Sequence, residues 1–108
     1  MSIALPPPIQ TYFAGSNAHE PQAVAAAFAA DGLVHDEKEV HRGRDAIAAW
    51  ARSSFDKYQM RTEPLSSRQD EQAVVVKARV TGTFPGSPIE LSFRFGLAHD
   101  GIASLQIG

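Results

Sequence analysis

The clearest pattern in the chain is the alternation of apolar and polar residues from position 89 to position 98. One face of this segment carries Ile89, Leu91, Phe93, Phe95 and Leu97, and the other carries Glu90, Ser92 and Arg94. A period of two predicts a β-strand with one face on a hydrophobic core. Less regular alternation predicts further strands over residues 59–69, 73–84 and 102–107, and Pro64 indicates a sheet edge or a bulge in the first of these.

The first half of the chain follows a helical period instead. Residues 43–58 predict the longest helix, with one apolar stripe made of Ile47, Trp50, Ala51, Ser54, Phe55 and Tyr58. Residues 8–17 predict a first helix, whose inward face carries Ile9, Tyr12, Phe13 and Ser16. Residues 21–30 begin with a proline and continue with alanines, which predicts a second helix ending before Gly32.

Between the second and third helices, residues 33–36 predict a short strand and residues 37–42 a loop. The order of elements is therefore three helices around one short strand, followed by four antiparallel strands. This order predicts an α+β fold in which the sheet packs its apolar face on the helices. A chain of 108 residues has the length of one domain, so we expect residues 1–108 to form a single domain.

Composition excludes several classes of function. The net charge is −2 and the ten Lys and Arg residues are scattered along the chain, so we expect no nucleic-acid partner. The chain has no cysteine, which excludes disulfides and thiolate chemistry. The sequence contains neither a recognisable signal peptide nor an apolar run of about 18 residues, which predicts a cytoplasmic protein without a membrane partner.

Four phrases, in the same order along the chain, resemble the nuclear transport factor 2-like superfamily and specifically its SnoaL-like branch. They are AAFAADGLVHD at residues 26–36, VHRGRDAIAAW at 40–50, GTFPGSP at 82–88 and DGIASLQI at 100–107. The resemblance implies a cone-shaped, strongly curved, mostly antiparallel sheet wrapped around the long third helix, with an apolar pocket at its open end. Members include ketosteroid isomerases, polyketide cyclases, dehydratases and proteins with no known reaction, and many are homodimers.

The resemblance also implies a catalytic pair, Tyr12 and Asp36. In the ketosteroid isomerase branch, a carboxylate moves a proton beside a carbonyl while a phenol stabilises the enolate oxygen. Other interpretations remain open for both residues. Tyr12 is equally compatible with a core position and a hydroxyl bonded to the backbone. Asp36 is compatible with exposure to water or bonding to the amides of the following turn.

Phe93 departs from the isomerase pattern. Aligning the strands on Gly101 puts Phe93 where that branch has a second acid, and a phenylalanine cannot donate a hydrogen bond. Together with Phe13, Trp50 and Leu91, it is predicted to line the pocket and bind the substrate. His35 and His41 are six residues apart, a spacing that matches no standard metal motif, so we expect no metal and place His35 on the surface.

These observations leave two kinds of function open. The first is an isomerase, cyclase or lyase that acts without a cofactor on a small apolar or carbonyl-containing ligand, with Asp36 as base and Tyr12 as donor. The second is a non-catalytic protein that binds a small ligand or acts as a dimeric interaction module. In either case we expect a homodimer formed through the sheet.

Overall fold

The computed structural model describes residues 4–71 and 73–108, so Met1–Ile3 and Gln72 lie outside the described residues. The described residues fold into three helices and six strands: α1 (Pro7–Asn17), α2 (Pro21–Ala26), β1 (Phe28–Asp36), β2 (Glu39–Arg42), α3 (Arg44–Tyr58), β3 (Arg61–Gln69), β4 (Val74–Thr81), β5 (Ile89–Ala98) and β6 (Gly101–Ile107). The predicted α+β class is therefore confirmed. The assignment of residues 1–108 to one domain stays a prediction.

All six strands belong to one curved, unclosed sheet with the order β2-β1-β6-β5-β4-β3. Neighbouring strands are antiparallel except β1 and β6, which run parallel. The last strand of the chain thus lies beside the first long one, in the interior of the sheet. This pairing joins the β1–β2 hairpin to the four-stranded remainder of the sheet.

A cluster of aromatic rings packs α1 onto the concave face of the sheet. The ring centre of Tyr12 lies 5.4 Å from that of Phe95, and the ring centre of Phe13 lies 5.5 Å from that of Phe93. Both pairs have the edge-to-face geometry that aromatic rings favour. Phe28 of β1 joins the cluster from the other side of Tyr12. The cluster fixes α1 across strands from both halves of the chain.

The second helix is shorter than predicted, because residues 28–30 belong to β1 and not to a helix ending at residue 30. The Ile102 amide donates a hydrogen bond to the Ala27 carbonyl oxygen at 3.0 Å, and Phe28 pairs with Ile102 across the sheet. Phe28 is fully buried there. The burial of this side chain and its strand pairing outweigh the helix propensity of the surrounding alanines, which amounts to only a few tenths of a kcal/mol per residue, roughly.

Residues 37–42 were predicted to be a loop, and this prediction is wrong for Glu39–Arg42, which form β2. β2 returns along β1 through a two-residue turn in which Glu37 and Lys38 have φ angles of 51° and 66°. Hairpin turns with two positive φ angles usually contain Asn or Gly, so a Glu-Lys turn carries no sequence signal of this kind. By contrast, the predicted irregularity at Pro64 is confirmed: β3 is an edge strand with a bulge between Pro64 and Ser66.

Where β6 begins, only a glycine fits. Gly101 has a φ of 137°, and a Cβ atom on it would lie 2.9 Å from the Ala27 carbonyl oxygen and 3.0 Å from the Ala29 amide nitrogen. The positive φ and the close backbone approach both disfavour a side chain. Gly101 therefore permits the contact between the start of β6 and the start of β1.

The Gly101→Ala substitution should lower the free energy of unfolding by about 2 kcal/mol or more, because it combines backbone strain with a steric clash. Gly86→Ala is the matched control, since Gly86 also has a positive φ, 90°, but a Cβ atom added there would have no heavy atom within 4 Å. Urea denaturation of both variants measures the difference. Equal losses for the two would show that the contact with β1 contributes nothing beyond the strain.

Candidate functional site

A cavity of about 420 Å³ lies on the concave face of the sheet. Its apolar wall is formed by side chains from three neighbouring strands, namely Val80, Ile89, Leu91, Phe93 and Ile107, and by Phe84 and Pro85 from the segment between β4 and β5. Helices α1 and α3 contribute the remaining sides through residues that include Tyr12 and Trp50. The volume and the mostly apolar lining are typical of small-molecule sites.

Asp36 reaches the cavity because of its position in β1. Successive side chains of a strand point to opposite faces. Asp36 lines the cavity, whereas the preceding His35 is exposed and lies in a shallow hollow on the convex face of the sheet. The structure therefore favours the pocket interpretation of Asp36 over a fully exposed side chain, and it puts His35 on the surface.

Trp50, which lies on α3, binds the carboxylate of Asp36. Its indole nitrogen Nε1 donates a hydrogen bond to Oδ2 of Asp36 at 3.1 Å. Trp50 lies on the same helical stripe as Ser54 and Tyr58, which also line the cavity. Three of the six residues of the stripe predicted from the sequence thus line the site, and one of them binds Asp36.

The surroundings of Asp36 favour its protonated form. Burial raises the pKa of the carboxyl group above its ordinary value of 3.8, and the neighbouring Glu37 charge raises it further. The Trp50 hydrogen bond, a backbone hydrogen bond from Glu37 and the nearby His41 act in the opposite direction without outweighing the burial. An acid with a raised pKa in a cleft is a stronger base than a free aspartate, which is a frequent property of catalytic carboxylates.

Tyr12 lies in the same cavity with its hydroxyl available. The residue is 4% exposed. Within residues 4–71 and 73–108, its hydroxyl makes no hydrogen bond, and no fully enclosed side-chain nitrogen or oxygen lacks a partner, so the Tyr12 hydroxyl must be open to the cavity. Burial raises the pKa of this phenol, and the charge of Asp36 adds to the shift. Tyr12 therefore remains an O–H donor at any neutral pH.

The cavity also contains polar residues that the sequence analysis did not single out as site residues. Tyr58 donates a hydrogen bond from its hydroxyl to Oε1 of Glu37 at 2.7 Å, which joins the end of α3 to the β1–β2 turn. Ser16 and Thr62 are buried and line the cavity as well. The signal for Ser16 and Tyr58 was present in the helical stripes, but a stripe does not distinguish a core position from a cavity wall.

Of the six predicted site residues, five line this cavity: Tyr12, Asp36, Trp50, Leu91 and Phe93. Phe13, predicted to bind substrate, does not line it. Its ring contacts those of Phe93 and Phe95 edge-on in the core between α1 and the sheet. Being adjacent to Tyr12 in the helix, Phe13 points about 100° away from it, as helix geometry requires. Among the residues that the structure describes, no three His, Asp or Glu side chains form a cluster able to hold a metal ion.

Comparison with known proteins identifies the family. The model of the SnoaL-like domain matches residues 9–102. The chain belongs to the SnoaL-like domain family. This membership confirms the superfamily inferred from the four sequence phrases. A search of curated proteins returned no significant match. No helix among the described residues is long and apolar enough to span a membrane.

Solved structures of several other proteins share the whole fold. A proposed polyketide cyclase from Sinorhizobium meliloti is 35% identical, with a TM-score of 0.91 over 96% of this chain and 95% of that chain. A protein from Sphaerobacter thermophilus is 27% identical, with a TM-score of 0.80 over 94% of this chain and 91% of that one. A protein with a ketosteroid isomerase-like fold from Catenulispora acidiphila, solved with trimethylamine, is 20% identical and has a TM-score of 0.83 over 97% of this chain and 86% of that one.

The raised pKa of Asp36 predicts a specific dependence of stability on pH. Between 3.8 and the raised pKa, the folded protein binds more protons than the unfolded chain, so the free energy of unfolding falls as the pH rises. Asp36→Asn, which keeps an oxygen to accept the Trp50 hydrogen bond, should therefore be more stable than the wild type at pH 7. This advantage should shrink toward pH 4.

Thermal unfolding between pH 4 and pH 8 measures this effect. The control is Asp56→Asn, which changes an exposed aspartate of α3 and should give no comparable gain. If the wild type unfolds at a higher temperature than Asp36→Asn at every pH, the assignment of a raised pKa to Asp36 is wrong.

Proposed function

We propose that this SnoaL-like protein catalyses proton transfer on a small neutral carbonyl compound, as an isomerase, cyclase or lyase. Asp36 acts as the general base and Tyr12 as the donor to the carbonyl oxygen. One observation carries the proposal: a half-buried carboxylate with a raised pKa shares a cavity with an unpartnered phenol. The 35% identity to the proposed polyketide cyclase from Sinorhizobium meliloti supports this class of reaction.

The proposed step needs no cofactor. The Asp36 carboxylate takes a proton from the carbon beside the carbonyl group, and the electron pair of that C–H bond forms the enolate. The Tyr12 hydroxyl donates a hydrogen bond to the enolate oxygen and stabilises its charge. The protonated Asp36 then returns the proton to another carbon of the same molecule, or a group leaves from the enolate. Trp50 keeps the carboxylate directed into the cavity throughout.

Phe93 restricts the range of substrates that the proposed reaction can accept. Its ring lines the cavity and its centre lies 6.4 Å from that of Tyr12, so the position next to the phenol supplies no second donor from this residue. Removing one oxyanion donor typically costs about 100-fold to 1000-fold in rate. The proposal therefore favours ketones whose neighbouring C–H bond is already activated, for example by an adjacent aromatic ring or a second carbonyl group.

The charges around the cavity argue against an anionic substrate. Asp36 and Glu37 are the charged residues among the described residues that line it, and no Lys, Arg or His in that part of the chain lines it. A carboxylate or phosphate on the ligand would be placed near like charges in a partly apolar site, which is unfavourable. A neutral ligand suits the site better.

Binding without catalysis is the second candidate, and the apolar ring of Phe93 is the observation that favours it. A phenylalanine at this position adds apolar contact area for a ligand and contributes nothing to stabilising an enolate. In that case Asp36 would be incidental to binding. The two candidates differ in what happens when the Asp36 charge is removed, so one variant separates them.

The reaction can be tested with 2-tetralone, whose C1 protons are activated by both the ketone and the aromatic ring. We expect the protein to accelerate deuterium uptake at C1 in D₂O, measured by NMR. Asp36→Asn should lose about 100-fold or more of this rate, and Tyr12→Phe about 100-fold, because each removes a group that acts on the reacting atoms.

His35→Asn is the matched control, since it changes the neighbouring titratable residue on the opposite face of β1 and should keep the wild-type rate. If Asp36→Asn exchanges deuterium as fast as the wild type while 2-tetralone still binds, the enzyme proposal fails and the binding function replaces it.

We also propose that two copies of the chain associate through the convex face of the sheet. This face is mostly polar, with exposed Lys77 and Arg79 beside the half-buried Val75, and it includes the shallow hollow next to His35. Such a mixture is compatible with a wet, polar interface. Sedimentation equilibrium should give twice the 11.6 kDa of one chain, and Ser92→Arg, in the middle of the face, should shift the mass toward the monomer. A monomer at all concentrations would contradict this proposal.

A further inference from the structure

Two buried polar residues have no role in the proposed reaction. Ser16 and Thr62 are 4% and 5% exposed. Among the described residues, these two make up the buried polar or charged set. Both line the same cavity as Asp36. Neither side-chain hydroxyl makes a hydrogen bond within the part of the chain that the structure describes, and no fully enclosed side-chain oxygen there lacks a partner, so both hydroxyls must be open to the cavity. A ligand in the cavity therefore meets two polar groups that have no partner among the described residues.

The backbone geometry directs both hydroxyls into the cavity. Ser16 follows Tyr12 by one helical turn and lies on the same face of α1. Thr62 pairs with Val80 across β3 and β4, so their side chains share the concave face, and Val80 also lines the cavity. The two residues thus approach the cavity from a helix and from an edge strand.

Asn17 holds these two elements together. Its side-chain nitrogen Nδ2 donates to the Thr62 carbonyl oxygen at 2.8 Å, and its Oδ1 accepts from the Thr62 amide at 2.7 Å. This double hydrogen bond imitates strand pairing at the open edge of β3, and it connects the residue after Ser16 directly to Thr62. The two hydroxyls are therefore held beside the same fixed contact and need little reorganisation to act together.

The hydroxyl pair and the acid enter the cavity from different ends of the sheet. Asp36 is on β1 and Thr62 is on β3, and the strands β6, β5 and β4 lie between them. These intervening strands contribute the apolar part of the wall, including Leu91 and Phe93. A ligand that touches both ends therefore has an apolar body and a polar group at each end.

We propose that Ser16 and Thr62 form a second polar subsite, which binds a hydroxyl or carbonyl oxygen of a neutral ligand at the end remote from Asp36. Each hydroxyl can donate and accept a hydrogen bond, so the pair accommodates either kind of oxygen. The subsite itself does not depend on the proposed function. The inference rests on that function only where it says which end of the ligand reacts. The substrate class becomes a compact apolar ketone with a second oxygen on its far side.

A matched pair of ligands tests the subsite: 2-tetralone, and 6-hydroxy-2-tetralone, which adds one oxygen opposite the ketone. Binding is followed through the indole N–H signal of Trp50 in two-dimensional NMR, because the chain has a single tryptophan and this one lines the cavity. The wild type should bind the hydroxylated ketone about three- to tenfold more tightly, which is the effect of one or two neutral hydrogen bonds.

The double variant Ser16→Ala with Thr62→Val should lose this preference and keep its affinity for 2-tetralone. The control, Ser66→Ala with Thr81→Val, makes the same two kinds of substitution at exposed positions on β3 and β4 and should keep the wild-type preference. The proposal is overturned if the double variant still prefers the hydroxylated ketone, or if the wild type has no preference or binds neither ketone.

Repeating the titrations with Asp36→Asn separates this inference from the proposed reaction. The preference between the two ketones should survive in that variant, since the subsite does not depend on proton transfer. Loss of deuterium exchange alone would therefore bear on the reaction and not on the subsite. Thermal unfolding adds a second readout, because removing unpaired hydroxyls should leave the melting temperature unchanged or higher. A clear drop in stability, together with weaker binding of both ketones, would indicate a structural role and overturn the proposal.

Discussion

The parallel pairing of β1 with β6 is the constraint on which the candidate site depends. Without it the sheet would fall into two pieces, the β1–β2 hairpin and the four-stranded remainder. Parallel strands end at the same edge of a sheet, and His35 of β1 pairs with Gln106 of β6, so Asp36 arrives beside Ile107. Ile107 in turn pairs with Phe93. One row of side chains across three strands thus sets the acid next to the apolar wall.

The surroundings of Asp36 act on its charged form in two opposite directions. Burial and the neighbouring Glu37 disfavour its charge, while the Trp50 hydrogen bond partly restores the stability of the charged form. A carboxylate fully paired in this position would be stable but a weak base, and one without any partner would be free to turn away. The bond from the indole nitrogen and the backbone hydrogen bond from Glu37 fix the direction of the group and leave its pKa raised. Such a compromise is typical of a group that has to release and accept a proton near neutral pH.

The sequence was sufficient to predict the elements whose apolar residues repeat regularly along the chain. The strand β5 and the helix α3 appear in the structure at the expected places, because the middle of each apolar pattern is buried. The ends of the β5 pattern, Ile89 and Leu97, are exposed. The end of α2 and the strand β2 were missed for different reasons. Phe28 pairs with the distant Ile102, and local propensity does not report on such a partner. β2 pairs with its neighbour β1, but through a Glu-Lys turn that lacks the Asn or Gly by which a hairpin is usually predicted.

The site shows the same division. Family resemblance pointed to Tyr12 and Asp36, which the structure brings into one cavity. It could not point to Ser16 or Thr62, because a buried serine in a helical stripe and a threonine in a strand are ordinary core residues until the empty space beside them is known. Phe13 illustrates the opposite error, since an aromatic residue next to a site residue looks like pocket lining when only the chain order is considered. Its ring packs against Phe93 and Phe95 in the core between α1 and the sheet.

The distribution of polar groups is the reason for proposing a neutral, elongated ligand. Carboxylates lie where the β1–β2 hairpin meets α3, hydroxyls lie where α1 meets β3, and apolar side chains separate the two groups. An anion would be repelled by the acids, and a wholly apolar molecule would leave the buried hydroxyls without partners, which costs free energy. A molecule with oxygen at both ends avoids both penalties. Under the proposed function, the choice of ligand depends on the polar groups that need a partner as well as on the shape of the cavity.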